Sequence, residues 1–335
     1  DTSVPTLLSL PSWLNISRPI FDFVGISPGY REYDVSGCFL LFFTIFFGMI
    51  IGDGGYGMLF LAAAVGAKIT IRKPQAQRAI NLFLLLSSVT VAWGLLTGNW
   101  FGLDNGWKDG VWAASRTPLP RFLCGFEWFT YGRNIQKMCF VIAVIHLCIG
   151  HGWRALALLG ASKPMKAIGE VGWLSFVAGA FVVIMDMVPK TKVFGEQTYP
   201  VALTLLGIGF VLMLVFAVNW KDVGDILNFP FGALSAFVDS LSYIRLYALG
   251  LSGFFVAVAV NRMAADVMEA GAVGIVAGIA IALFGHILNM LLCIMGVLVH
   301  GIRLNTLEFS GHLGLEWVGS RFKRFRRSAT TGRSD

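Results

Sequence analysis

The residues most able to do chemistry in this 335-residue chain are charges placed where charge is expensive. The stretch "FVDSLSYIRLYALGLSGFFVAVAV", residues 237–260, is long and apolar enough to cross a lipid bilayer, yet it carries Arg245 near its centre. A central arginine costs a membrane helix about 2.5–3.5 kcal/mol on insertion scales, so it points to a task such as meeting an opposite charge inside the membrane. The plain alternative is an arginine paired with Asp239 or capped by backbone carbonyls. A second set follows on the last apolar segment. His286, Asn289, Cys293, Gly296, His300 and Arg303 are spaced 3, 4, 3, 4 and 3 residues apart, which predicts a single helix face. Lipid would penalise every step of such a stripe, so it faces protein or water, either lining an ion path or gluing helices by hydrogen bonds. Glu308, five residues beyond Arg303, offers that arginine a local ion pair.

Other polar residues read more simply. His146 and His151, beside Gly150 and Gly152, read as satisfied groups in a helix core. Asp53 in "GDGGYG" reads as a helix cap in a tight turn whose glycines supply positive φ.

The elements that position these residues are membrane helices. Hydrophobic residues make up 56% of the chain and charged residues 13%, about half the share in soluble domains. Mean hydropathy is +0.72. Apolar runs lie at about 35–52, 54–71, 79–100, 137–159, 170–188, 200–218, 231–262 and 272–304. The expected fold is therefore all-α, with eight transmembrane helices, the last two long enough to tilt strongly. The expected organisation is an entry segment at 1–34, a membrane domain at 35–308 and a basic tail at 309–335.

Loop charges orient the expected spans. Lys68, Arg72, Lys73 and Arg78 lie between the second and third, and Arg154, Lys163 and Lys166 between the fourth and fifth. The positive-inside rule puts these loops and both chain ends in the cytoplasm. Arg321, Lys323, Arg324, Arg326, Arg327 and Arg333 crowd the tail; beside a span they read as an anchor on anionic lipid, not as a nucleic-acid site. The connection at 101–134 carries Trp107, Trp112, Trp128, Phe129 and Tyr131, suited to an outer aromatic belt. The five cysteines (Cys38, Cys124, Cys139, Cys148 and Cys293) have no paired spacing, so no metal or disulfide framework is expected. With no nucleotide loop or nucleophile triad either, neither a cofactor nor an independent hydrolytic site is expected. The first residues, "DTSVPTLLSLPSW", have no signal-peptide pattern and read as the interior of a longer polypeptide.

Three stretches together carry a family resemblance: "SPGYREYDVSGCFLLFFTIFFGMIIGDGGYGMLFL", "SYIRLYALGLSG" and "GHILNMLLCIMGVLVHGIRLNTLEF". They resemble the membrane half of subunit a of rotary V-type ATPases, called subunit I in bacterial and archaeal A/V-type enzymes. The resemblance implies a stator in a prokaryotic cell membrane, preceded by a long cytoplasmic arm. It implies as partners a ring of rotor proteolipid subunits (c/K), a peripheral stalk and the catalytic soluble complex. It gives Arg245 an essential role in ion translocation and Arg303 a supporting one. Two departures stand out. Eukaryotic members carry a histidine where this chain has Gly253 and a glutamate where it has Cys293, so the polar path must be built otherwise. Asp239, Ser242, His286, Asn289, His300 and Glu308 are the half-channel candidates. The translocated ion is H⁺ or Na⁺, because its binding carboxylate belongs to the rotor. The rival reading is a secondary transporter with a polar cavity lined by the last two helices, although the internal repeats common in such proteins are not visible.

Overall fold

The computed structural model describes residues 11, 13–29, 32, 34–103, 125–315, 317 and 319. Trp107, Trp112, Cys124 and the six tail cations lie outside these described residues. The described elements are helical. A short helix α1 (Arg18–Val24) leads into α2 (Ser36–Ile51), α3 (Gly54–Thr70) and α4 (Pro74–Thr97). After α5 (Glu127–Thr130) come α6 (Gly132–Gly160), α7 (Pro164–Met187) and α8 (Thr198–Phe216). The chain continues as α9 (Val223–Ser242), α10 (Ile244–Met268) and α11 (Ala272–Gly296). Two π-helical segments, Val297–Gly301 and Leu304–Phe309, then carry it into α12 (Ser310–Leu313).

Among the described residues, six helical runs are long and apolar enough to cross a membrane. Together with the relatives described below, they make the chain an integral membrane protein. Four of the runs correspond to α4, α6, α7 and α8; the other two are stretches of 46 residues (Val223–Met268, α9 and α10 end to end) and 42 residues (Ala272–Leu313). At 1.5 Å per residue they measure about 69 and 63 Å, about twice a hydrocarbon core. The hairpin helices α2 and α3, of 16 and 17 residues, fall short of a full span by length. Their sequence explains the sharp turn between them. Gly52 takes the left-handed conformation at φ 66° that ends α2, and Asp53 caps α3 by accepting a hydrogen bond from the Tyr56 amide at 3.1 Å. The expected capping role of Asp53 is thus borne out.

Small residues let the long helices approach. Gly169, Gly172 and Gly179 on α7 meet the backbone of α8, where any Cβ would lie within 3.0 Å of Ala217, Leu212 or Leu206. Gly250 on α10 is seated on the Met49 carbonyl of α2, only 2.5 Å from where a Cβ would stand. That contact fixes α10, and Arg245 with it, against the α2–α3 turn. The main core gathers around α2, with Phe39, Phe46, Ile50, Tyr56, Leu147, Tyr243 and Leu246 all buried.

Candidate functional site

Arg245 stands directly after the break between α9 and α10. The 46-residue run is interrupted at Tyr243, whose buried hydroxyl lies 2.8 Å from Nδ1 of His146 on α6. The His146 ring is clasped between Phe42 and Phe309, with centroids 3.8 and 4.3 Å away, so it serves as a pin that holds the break. The Arg245 guanidinium meets Glu308, with Nη1 3.8 Å from Oε1. Arg303 reaches the same oxygen through Nε at 3.4 Å. The Glu308 carboxylate is 3% exposed, Arg245 is 25% exposed and Arg303 is 52% exposed. One buried carboxylate thus separates two guanidiniums that would otherwise repel. Neither Arg245 Nη1 nor Glu308 Oε2 has a hydrogen-bond partner among the described residues. The contact is electrostatic and open to competition.

The expected pairing of Arg303 with Glu308 is present, and the alternative pairing of Arg245 with Asp239 is not what the geometry favours. Asp239 Oδ2 lies 3.2 Å from Nε2 of His312. Ser242 donates to the Asp239 carbonyl at 2.7 Å, stabilising the end of α9. The heptad stripe also loses phase. Asn289 and Cys293 are buried, but the π turns from Val297 onward widen the helix and leave Arg303 exposed. The same widening brings residues five apart, Arg303 and Glu308, onto one face.

A polar cavity of about 790 Å³ opens beside this cluster, with Arg303, Glu308, Asp239, Glu170, His151 and His312 on its wall. Four of those residues form a continuous chain. Glu170 Oε2 lies 2.9 Å from His151 Nδ1, His151 Nε2 lies 2.8 Å from His312 Nδ1, and His312 Nε2 meets Asp239. Arg154 closes the far end, its Nε 3.2 Å from Glu170 Oε1. Sequence reasoning missed this chain. His151 was set among core histidines, and His312 fell beyond the expected membrane domain. A carboxylate at the start of a span, Glu170, facing a histidine on the preceding one was the available signal.

His286 and Asn289 belong to a different network. Tyr56 Oη lies 2.7 Å from His286 Nδ1, and Asn289 donates to that hydroxyl at 3.0 Å and to the Gly253 carbonyl at 2.8 Å. His286 Nε2 faces Asn261 Oδ1 at 2.9 Å, while the Asn261 amide donates to the Phe101 carbonyl at 2.7 Å. His300 stands apart from it, on a groove of about 350 Å³ between α10 and α11 that Gly253, Asn289 and Cys293 also line. Gly253 and Cys293 touch: a Cβ on Gly253 would lie 2.9 Å from the Cys293 sulfur. Among the described residues no group of three or more His, Cys, Asp or Glu is arranged to hold a metal ion.

Comparison with known proteins finds relatives along nearly the whole chain. The chain is 34% identical over 347 residues to V-type ATP synthase subunit I 1 of Treponema pallidum, covering 97% of this chain and 53% of that protein. It is 32% identical to V-type ATP synthase subunit I of Borreliella burgdorferi, over 97% of this chain and 54% of that one. Over nearly its whole length the chain is similar to subunit I of V/A-type ATP synthases. An archaeal A-type subunit I, from Methanocaldococcus jannaschii, is 26% identical over 97% of this chain and 49% of its own length. The chain thus spans about half the length of the curated relatives it matches. No family model matches it. The Arg245–Glu308–Arg303 cluster and its cavity place charge on two long, largely apolar helical runs.

Proposed function

We propose that this chain is the stator membrane part of a rotary V/A-type ATPase and passes H⁺ or Na⁺ between two aqueous half-channels past Arg245. The observation that carries the reading is the placement of Arg245 at a helix break, bound only loosely to Glu308 at the edge of a 790 Å³ polar cavity. The α2–α3 hairpin and the six long runs together make eight crossings, the last two tilted, with both chain ends in the cytoplasm of a prokaryotic cell. The domain limits are residues 35–308 for the membrane part, with 1–34 and 309–335 flanking it. The partners are a ring of small rotor subunits, each with one buried carboxylate, together with a peripheral stalk and the soluble ATP-hydrolysing complex.

The chemistry follows from dielectric. A rotor carboxylate in lipid prefers its neutral or ion-bound form, because desolvation disfavours its charge. Beside Arg245 that preference reverses and the ion is expelled. Arginine suits the task because it stays protonated and presents a planar fork of donors. Glu308 holds the guanidinium between encounters, and the arriving carboxylate competes for it. The ion enters or leaves on one side through the large cavity by Asp239, Glu308 and Arg303. On the other side the path runs along the groove that His300 lines, where Asn289 and His286 hold the helices in place, and Ser242 supports the cavity side through Asp239. A transmembrane potential contributes about 2.3 kcal/mol per charge per 100 mV, which drives the ring when ATP does not.

The test is purification of the full protein from its own membrane. A ring of small hydrophobic subunits should accompany it, and vesicles bearing the complex should take up cations on ATP addition. Purification with neither the ring nor ATP-driven uptake contradicts the reading. Cysteines at Gln75 and Asn105 should label from opposite sides; labelling from one side would sink the eight-crossing topology.

A further inference from the structure

We infer that the chain of groups Glu170, His151, His312 and Asp239 stores one exchangeable proton on the cavity wall and hands it between cavity water and the passing carboxylate. The inference rests on the stator reading above and deepens it by naming the groups that carry the proton. It comes from a count of hydrogens. The three contacts in the chain, at 2.9, 2.8 and 3.2 Å, join two carboxylates through two imidazoles. Each contact needs one hydrogen between its heavy atoms. A neutral imidazole carries one N–H, so two of them fill only two of the gaps. An ionised carboxylate brings none. If His151 donates to Glu170 and His312 donates to His151, then His312 Nε2 and Asp239 face each other as bare acceptors. Every other choice of tautomers leaves a gap elsewhere. One additional proton closes the set, either as an imidazolium or as a carboxylic acid.

The charges around the chain support that count. Two carboxylates carry two negative charges, and the Arg154 guanidinium on Glu170 cancels one. The extra proton cancels the other, so the set becomes neutral. His151 and Glu170 are 2% and 4% exposed, where an unbalanced charge is costly. His151 also stacks face to face on Trp173, with centroids 5.5 Å apart and planes 5° from parallel, a geometry that favours a cationic ring. The other charged groups on the cavity come from every element around it: Lys163 and Lys166 from α7 and its cap, Asp225 from α9, Arg303 and Glu308 from the last run. The exchange makes and breaks only N–H and O–H bonds. A proton from cavity water enters the gap between His312 and Asp239, the hydrogens shift toward Glu170 to close the set, and the reverse shift returns that proton at Asp239 to water or to the passing carboxylate. A direct contact between ring nitrogens at 2.8 Å has no room for Na⁺.

The experiment uses the assembled complex in vesicles, with proton uptake and ²²Na⁺ uptake followed across a pH series. ATP-driven proton uptake without Na⁺ is expected for the native protein. His312→Gln and His151→Gln should each lower uptake roughly tenfold or more and flatten its pH profile, because glutamine cannot take up a proton. Native-like uptake and pH profile in both variants overturns the inference, as does Na⁺ uptake without protons. Arg245→Leu in parallel keeps the two readings apart: normal pumping there contradicts the stator reading itself. A readout free of folding effects is nitrogen NMR of histidine-labelled native complex, with carbon labels on Asp and Glu. It should find the surplus proton on the coupled imidazoles or on a carboxyl. Two neutral rings with both carboxylates ionised would overturn the inference.

Discussion

Two of the histidine networks among the described residues differ in one respect. The network of Tyr56, His286, Asn261 and Asn289 ties α3, α10 and α11 together with uncharged groups, and its donors and acceptors balance. The network of Glu170, His151, His312 and Asp239 ties α6, α7, α9 and α12 together with ionisable groups, and it balances only with a surplus proton. Histidine, then, does not mark function by itself. A neutral imidazole with one donor and one acceptor partner is helix glue, whereas an imidazole between an acid and another imidazole is a place for a mobile proton.

Substitutions sharpen or break this contrast. The largest expected effect on stability is at the charged side. Glu308→Gln leaves two guanidiniums facing each other without their carboxylate, and loss of one partner from a buried ion cluster costs about 3 kcal/mol. Thermal unfolding of the purified complex should show the drop, and Arg303→Leu should recover part of it; no change in either variant would mean that the cluster stabilises nothing. Next in size is Gly253→Ala, whose methyl would press on the Cys293 sulfur at 2.9 Å. Overpacking of this kind costs about 1–3 kcal/mol, and Cys293→Ala in the same chain should relieve it, so additive losses would contradict the contact. Smallest is Tyr56→Phe. It removes the hydroxyl that His286 and Asn289 share, for about 1–2 kcal/mol of stability. Ion uptake in the surviving complex should stay near native, and a collapse of uptake would move this neutral network into the ion path.

Much of the fold was readable from composition and apolar run length, because lipid forces a helix wherever it meets backbone. The eight expected runs coincide with helical stretches, yet α2 and α3 are shorter than a span, a length that apolar flanking residues conceal. Arg245, Arg303 and Glu308 were legible as charges in the wrong solvent, and they do come together. Asp239 was placed beside the arginine by sequence proximity, but the helix break at Tyr243 turns it toward His312. The stripe on α11 was extrapolated at a fixed period, which a π turn violates without any sequence mark. The His151–His312 contact joins residues 161 positions apart, so no local pattern announces it.

The central claim is that Arg245 discharges a rotor carboxylate, and one substitution tests it most directly. ATP-driven ion uptake should be measured in vesicles carrying Arg245→Lys, beside the amount of assembled complex. Lysine keeps the charge but loses the planar fork, and a buried ammonium can release its proton into the path it should guard. Uptake should be abolished or nearly so, with assembly intact, while Arg303→Lys should have a milder effect because that residue leans on Glu308 from a half-exposed position. Native uptake by Arg245→Lys, or failure of that variant to assemble at all, would contradict the account.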